Sequence, residues 1–405
     1  MPIFSFVAKS ASRQKIKGLM VADSESGLSA KLTEQGLTLL KSVDTSKKHD
    51  ALGDWLAKFR GVPVVQKIFF TQNLAVMLRG GFSISRAMAT LALQTNHLYF
   101  KRVILSLQQD LEGGSSFSHS LKRFSHVFSE LFINMIAAGE LSGKLDDVLK
   151  SLTIQMKKDH QLISKVKGAL TYPIVVVIAM IGAGVAMITF VIPKLLTVFE
   201  QNNAELPLPT RILIGISNAF QHQGILIAAG VAAVVAGLIA IGRTSSGKTF
   251  FDTLLLRAPI AGPIVKKINL ARFTRNLSSM LATDIPIIQT FQVIGRTMSS
   301  AHYRRSIDDA SQALRSGTSI AKVLEKNPEL YPPLVQQMVN VGEESGTLDE
   351  VAGELATFFE EEVDQTMSNL STIIEPVLLL VLGAAVAGMA VAILLPMYSL
   401  SEQIT

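Results

Sequence analysis

The spacing of apolar positions changes several times along the chain, and each change marks an element. Ile3–Val7 alternates apolar and polar, as a strand with two unlike faces does, and Gly18–Ala22 reads as a second strand. Between them and a third strand over Leu37–Val43, Leu28 and Leu32 stand four apart, with Ser24 placed to cap a helix and Gly36 to end it. From residue 64 to 170 the spacing is helical. Phe70, Leu74, Met77 and Leu78 share one face, and Gly80-Gly81 and Gly113-Gly114 break the pattern. Ser83 and Ser116 are placed as caps of the helices that follow, and Phe128–Ala138 reads as a further helix. About six helices joined by short turns predict an all-α bundle. Three runs then lose all periodicity: Tyr172–Ile192, Ile225–Ile241 and Pro376–Leu395. Each approaches the ~20 apolar residues that cross a bilayer. Lys, Arg, Asp and Glu are absent from Ile212 to Gly242.

The pattern occurs twice. Gly139-Glu140-Leu141-Ser142-Gly143 returns as Gly342-Glu343-Glu344-Ser345-Gly346, from position 139 to 342, an offset of 203. The same offset carries Phe70-Thr71 onto Phe273-Thr274, Asn73-Leu74 onto Asn276-Leu277, Asp146 onto Asp349, Pro173 onto Pro376 and Pro193 onto Pro396. Each copy is a bundle, an acidic turn bearing two Gly residues, a long polar helix and an apolar run. A repeat of this length fixes the architecture before any finer assignment.

Charge decides the topology. Only 17% of residues are charged, which points to a membrane protein, and the net charge of +6 matters less than its placement. Lys157, Lys158, Lys165 and Lys167 precede the first run, and Arg243, Lys248, Arg257, Lys266, Lys267, Arg272 and Arg275 follow the second. The bundles are therefore expected in the cytoplasm. Two like bundles feeding spans in the same direction also require one extra crossing, which Ile225–Ile241 supplies. The N-terminus has no basic region followed by an apolar core, so no signal peptide is expected. The organisation predicted is an α/β module over 1–45, a linker over 46–63, a first bundle over 64–170 and a span over 171–193. A periplasmic segment over 194–222, a span over 223–242, a second bundle over 243–373, a span over 374–397 and a periplasmic tail over 398–405 complete it. Within the linker, Trp55, Leu56 and Phe59 suggest an amphipathic turn that docks on another surface.

Candidate chemistry is sparse. Cysteine is absent, which removes disulfides, thiolate nucleophiles and Cys metal sites. The His residues show no ligand spacing, and no cofactor, metal or nucleic-acid site is expected. Gly242–Thr249 fits the phosphate-loop pattern G-x-x-x-x-G-K-T, but a run of span length precedes it where a strand is required. A basic end to a membrane helix is the competing reading. The turn residues Gly139, Glu140, Ser142, Gly143 and Asp146, with Gly342, Glu343, Ser345, Gly346 and Asp349, have three readings. They are a helix connection with acids at a helix N-terminus, a surface recognised by a partner, or a carboxylate site for a cation. Lys157 and Lys158 map onto Glu360 and Glu361, so charge inverts at matched sites. Either these are separate solvated faces, or bundles or neighbouring subunits meet basic face to acidic face. Tyr172-Pro173 and Glu375-Pro376 mark the membrane edge, where an ionisable side chain is a functional candidate.

The doubled Gly-Glu-x-Ser-Gly-x-Leu-Asp-x-Val, the Tyr172-Pro173 and Glu375-Pro376 span starts and the paired Phe-Thr-x-Asn-Leu-x-x-Met-Leu helix starts resemble one family. It comprises the inner-membrane platform proteins of type II secretion (general secretion pathway protein F) and of type IV pilus assembly (PilC-like proteins). Leu206–Arg211 and Leu394–Met397 look like this family too. The resemblance implies an all-α membrane protein with two cytoplasmic six-helix bundles, three transmembrane helices and a small α/β module. It implies a scaffold and not an enzyme. Expected partners are a cytoplasmic hexameric ATPase, other inner-membrane assembly proteins, pilin or pseudopilin subunits, and further copies of the chain. A transporter remains the alternative of another class, although three spans without interior charge are too few to enclose a path.

Overall fold

A computed structural model of the protein describes residues 3–10, 15–22, 24–34, 36–44, 61–193 and 208–403. The predicted module comes first along the chain. Strands β1 (Ile3–Ser10), β2 (Lys15–Val21) and β3 (Leu37–Asp44) make an antiparallel sheet in the order β2-β1-β3. Helix α1 (Glu25–Glu34) covers one face of it. Phe4, Phe6, Ala8, Ala22, Leu28 and Leu32 form a core, and the period-two and period-four positions read from sequence supply it. The amphipathic turn expected around Trp55 lies outside the described residues.

The first repeat contains α2 (Val64–Arg79), α3 (Ile84–Gln94), α4 (Leu98–Glu112), α5 (Phe117–Lys122), α6 (Glu130–Ser142) and α7 (Leu145–Ala186). Ser83, Ser116 and Ser129 cap α3, α5 and α6 through their side-chain oxygens, which accept otherwise orphaned backbone N–H groups. Gly81 and Gly114 sit at φ of +81° and +84°, conformations that a β-carbon disfavours. Buried Phe70, Phe100 and Phe128 meet with ring centroids 5.4–6.2 Å apart and anchor the core. Helix α7 continues through Pro173 into the first apolar run and ends in a π-helical turn over Met187–Val191.

Helix α8 (Leu208–Arg243) bends at Gln223, where φ is −126°. The second span starts at this bend, and a helical segment precedes it where sequence suggested only a short connection. Helix α9 (Ser245–Arg257) comes next, and the second repeat follows as α10 (Ala261–Leu281), α11 (Ile287–Thr297), α12 (Ala301–Arg315), α13 (Ile320–Leu324), α14 (Pro333–Ser345) and α15 (Leu348–Gln403). Among the described residues three helices are long and apolar enough to cross a membrane: Leu145–Val191, His222–Gly242 and Leu348–Gly388. None of their apolar windows is buried by protein, as lipid-facing surface should be.

The chain divides into two compact units that do not follow the repeat boundary. Residues 1–158 group with 279–297, and residues 159–278 group with 298–405. In the first unit, α11 lies along α6. Arg296 pairs with Glu130 at 2.6 Å, and Gln289 donates to Asn134 at 3.4 Å.

Candidate functional site

The paired turns are built alike, and the glutamates Glu140 and Glu343 bond back into their bundles. Glu140 Oε1 accepts the Phe117 N–H at 2.5 Å and Oε2 accepts the Ser118 N–H at 2.9 Å. In the second copy Glu343 accepts from Ile320 N at 2.9 Å and from Ala321 N at 3.3 Å. Each glutamate thus closes the N-terminus of a short helix 22–23 residues earlier, where free N–H groups and the helix dipole favour an anion. The other turn residues make that geometry possible. Gly143 (φ +70°) and Gly346 (φ +74°) end α6 and α14 in the left-handed conformation. Ser142 and Ser345 donate back to the carbonyls of Ala138 and Val341. A β-carbon on Gly139 would lie 2.9 Å from Val148 Cγ2, and one on Gly342 would lie 3.1 Å from Leu348 Cα. Close crossing of the helices on either side of each turn therefore requires Gly at both positions. Asp146 reaches Arg79 at 3.7 Å, and Asp349 lies in the first turn of α15. These contacts have the geometry of a helix connection.

The charges on the long helices are distributed differently. Glu360 pairs with Arg275 at 2.8 Å within its own unit, the side chains 14% and 17% exposed. Arg275 occupies the position of Gln72 in the first copy, so the inversion from Lys157 to Glu360 has a complementary change beside it. Lys267–Glu362 at 2.7 Å, Arg272–Asp159 at 2.7 Å and Lys165–Asp364 extend this network in the second unit. Lys157 and Glu361 are exposed and Lys158 is half-buried. Sequence reading counted Arg275 only among the basic residues after the second span; comparing the copies position by position would have paired it with Glu360.

At the membrane edge Tyr172 and Glu375 are exposed beside Pro173 and Pro376, and both helices run on through the prolines. At the far end of the first span the Pro193 ring removes the N–H that a π-helical turn would direct to the Ile188 carbonyl. Ser217 on α8 donates to that carbonyl at 2.7 Å. A carbonyl left without its helical partner in an apolar run needs such a donor, and no sequence pattern marks this one.

Gly242–Thr249 does not form a phosphate loop. Thr244 is extended and caps α9 by accepting from Gly247 N, so the segment is a helix end, one cap residue and a helix start. Among the described residues no three His, Asp or Glu stand together as metal ligands would.

Comparison with known proteins agrees with this architecture. The family described as type II secretion system protein F matches residues 70–193 and again 273–396, the same two segments that the 203-residue offset relates. Its N-terminal domain matches residues 1–43, the module of β1–β3 and α1. Type IV pilus assembly protein PilC of Myxococcus xanthus is 33% identical over 406 residues, covering 99% of this chain and 95% of the relative. Type IV pilus assembly protein TapC of Aeromonas hydrophila is 30% identical, covering 99% and 96%. Type II secretion system protein F of Vibrio cholerae is 27% identical, covering 99% of both. The doubled bundle and span, the module ahead of them and near-complete coverage of these relatives place the chain in the type II secretion system protein F family.

Proposed function

We propose that this protein is an inner-membrane platform for type IV pilus assembly or type II secretion. It couples a cytoplasmic assembly ATPase to the movement of pilin or pseudopilin subunits. One observation carries the coupling: α7 and α15 leave their bundles and enter the membrane as continuous helices of 42 and 56 residues. A displacement of either bundle is transmitted directly to a span, because no flexible joint separates them. The basic residues flanking the spans support cytoplasmic bundles and an N-terminus on the same side. The relatives named above include both pilus assembly and secretion proteins, and either system fits the architecture.

In this reading the protein performs no chemistry of its own. It works as a homo-oligomer with two kinds of contact surface, and the matched sites Lys157, Lys158 and Glu361 lie where neighbouring copies or the ATPase engage. Solubilising native membranes and purifying the tagged chain tests both parts. The expected result is co-purification of one assembly ATPase and one pilin-type subunit with an oligomer of the chain, and a smaller oligomer when Lys157→Glu and Lys158→Glu are combined. Recovery of the chain without either partner overturns the coupling, and an unchanged oligomer overturns the charged contact.

A further inference from the structure

The segment that imitates a phosphate loop starts a helix whose outer face is otherwise unexplained. Helix α9 begins two residues after Arg243, which ends the second span. It therefore begins at the membrane surface. A β-carbon on Gly247 would lie 1.9 Å from the Ile241 carbonyl oxygen, so the first turn of α9 closes tightly on the end of the span. One face of α9 is fixed to α12. Asp252 accepts from Ser300 Oγ at 2.7 Å and from Ala301 N at 2.9 Å, and Thr253 hydrogen-bonds His302 at 2.8 Å.

The opposite face is apolar and open. Phe250 and Leu254, one turn apart, are 65% and 58% exposed, and Leu255 beside them is also exposed. At 100° per residue these side chains and Phe251 form one arc, with Lys248 on one border and Arg257 on the other. Both basic residues are exposed, and the helix's sole acid, Asp252, is held on the α12 side. An apolar arc bordered by cations is the pattern of a helix lying in a membrane interface, with basic side chains reaching up to the headgroups.

The geometry points to α9 as an interfacial helix: Phe250, Leu254 and Leu255 insert at the headgroup–acyl boundary, while Lys248 and Arg257 bind anionic phospholipid. The occupant is a lipid surface because the face is continuous with a span and its charge complements an anionic leaflet. Since α9 also holds α12, it would fix part of the second unit at the bilayer. The inference needs only the span and does not depend on the partners proposed above.

The chain contains no Cys, so a single introduced one carries a unique label. Leu254→Cys and, separately, Phe250→Cys are labelled with a fluorophore in the full-length protein. Each is placed as one copy per nanodisc of phosphatidylglycerol and phosphatidylcholine. Quenching by lipids spin-labelled near the headgroup is expected at both positions, together with loss of quenching by aqueous iodide. Iodide access at both labels overturns the inference. So does shielding from both quenchers, which would mean that protein covers the face. Combining Lys248→Glu with Arg257→Glu is expected to restore iodide access, and full protection in that variant removes the two cations from the contact.

Discussion

The two repeats fold to the same plan but bury different groups in equivalent places. Phe70, Phe100 and Phe128 of the first copy correspond to Phe273, Tyr303 and Tyr331 of the second. The second trio keeps the packing, with centroids 5.6 Å apart for both the Phe273–Tyr331 and the Tyr303–Tyr331 pairs. It adds two buried hydroxyls, of which Tyr303 donates to the Leu330 carbonyl at 2.8 Å. Lys67 of the first copy corresponds to the buried Leu270. Lys67 is half-buried and donates to the Val127 carbonyl at 3.1 Å. Gln72 corresponds to Arg275, and Lys157 to its partner Glu360. The parts that set backbone geometry, namely the inward glutamates and the glycines of the turns, did not diverge. The duplication thus separates what the fold requires from what each half is free to change.

The largest effect is expected from removing the inward glutamates. Glu140→Ala leaves two backbone N–H groups without an acceptor, and hydrogen bonds to a charged group contribute roughly 1.5–3 kcal/mol each. A loss of about 3 kcal/mol is expected, read as a lower midpoint of denaturation of the full chain in detergent. Glu343→Ala is expected to cost less, since its contacts are longer by about 0.4 Å in each case. Unaltered stability in both variants would return the turns to the partner-surface reading.

The glycines at the helix crossings come next. Gly139 and Gly342 lie within helices, where replacement by Ala alone would gain roughly 0.5–1 kcal/mol. The new methyl, however, meets Val148 and Leu145 in the first copy and Leu348 and Val351 in the second at 2.9–3.3 Å. Overpacking of this kind typically costs 1–3 kcal/mol. Net destabilisation of about 1–2 kcal/mol is therefore expected in each copy, by the same denaturation measurement. If Ala stabilises either copy, its helices do not need to cross that closely.

Much of this architecture was legible in the sequence. The module strands, the caps at Ser83 and Ser116 and all three spans follow from periodicity, residue chemistry and length. The repeat was legible because its offset is constant. The role of Glu140 was legible only in part. An acid near a helix N-terminus was foreseen, but the helix it closes lies more than twenty residues earlier, and the groups it binds are backbone N–H groups that no side chain announces. One signal was available: Ser116 precedes Glu140 by the same interval as Ser319 precedes Glu343. Ser217 was beyond reach because its partner is a carbonyl exposed by a local π-helical turn. The outer face of α9 was masked by the phosphate-loop pattern, which drew attention to Lys248 and away from Phe250 and Leu254.

The smallest expected effect, and the most specific to the comparison, is the response to pH. Burial lowers the Lys67 pKa below its ordinary 10.5, because the charged form loses hydration. The unfolded chain then holds more protons than the folded one as pH approaches 10.5, so stability at this site rises with pH. Burial raises the pKa of Tyr303, with Tyr331 and Asp252 adding to the rise. It also raises that of Tyr331. Here the unfolded chain ionises first, from about pH 10 upward, so stability is complete below that pH and is lost above it. The two halves should therefore respond to alkali with opposite sign. Thermal unfolding of the full chain between neutral pH and pH ~11 separates them, since these groups ordinarily titrate near 10. Tyr303→Phe combined with Tyr331→Phe is expected to flatten the alkaline loss, at a cost near neutrality of about 1 kcal/mol for the hydrogen bond to Leu330. Lys67→Met is expected to leave that loss in place and remove the rise before it. If the Tyr pair leaves the alkaline limb unchanged, the second core is not where the chain loses its tolerance of high pH.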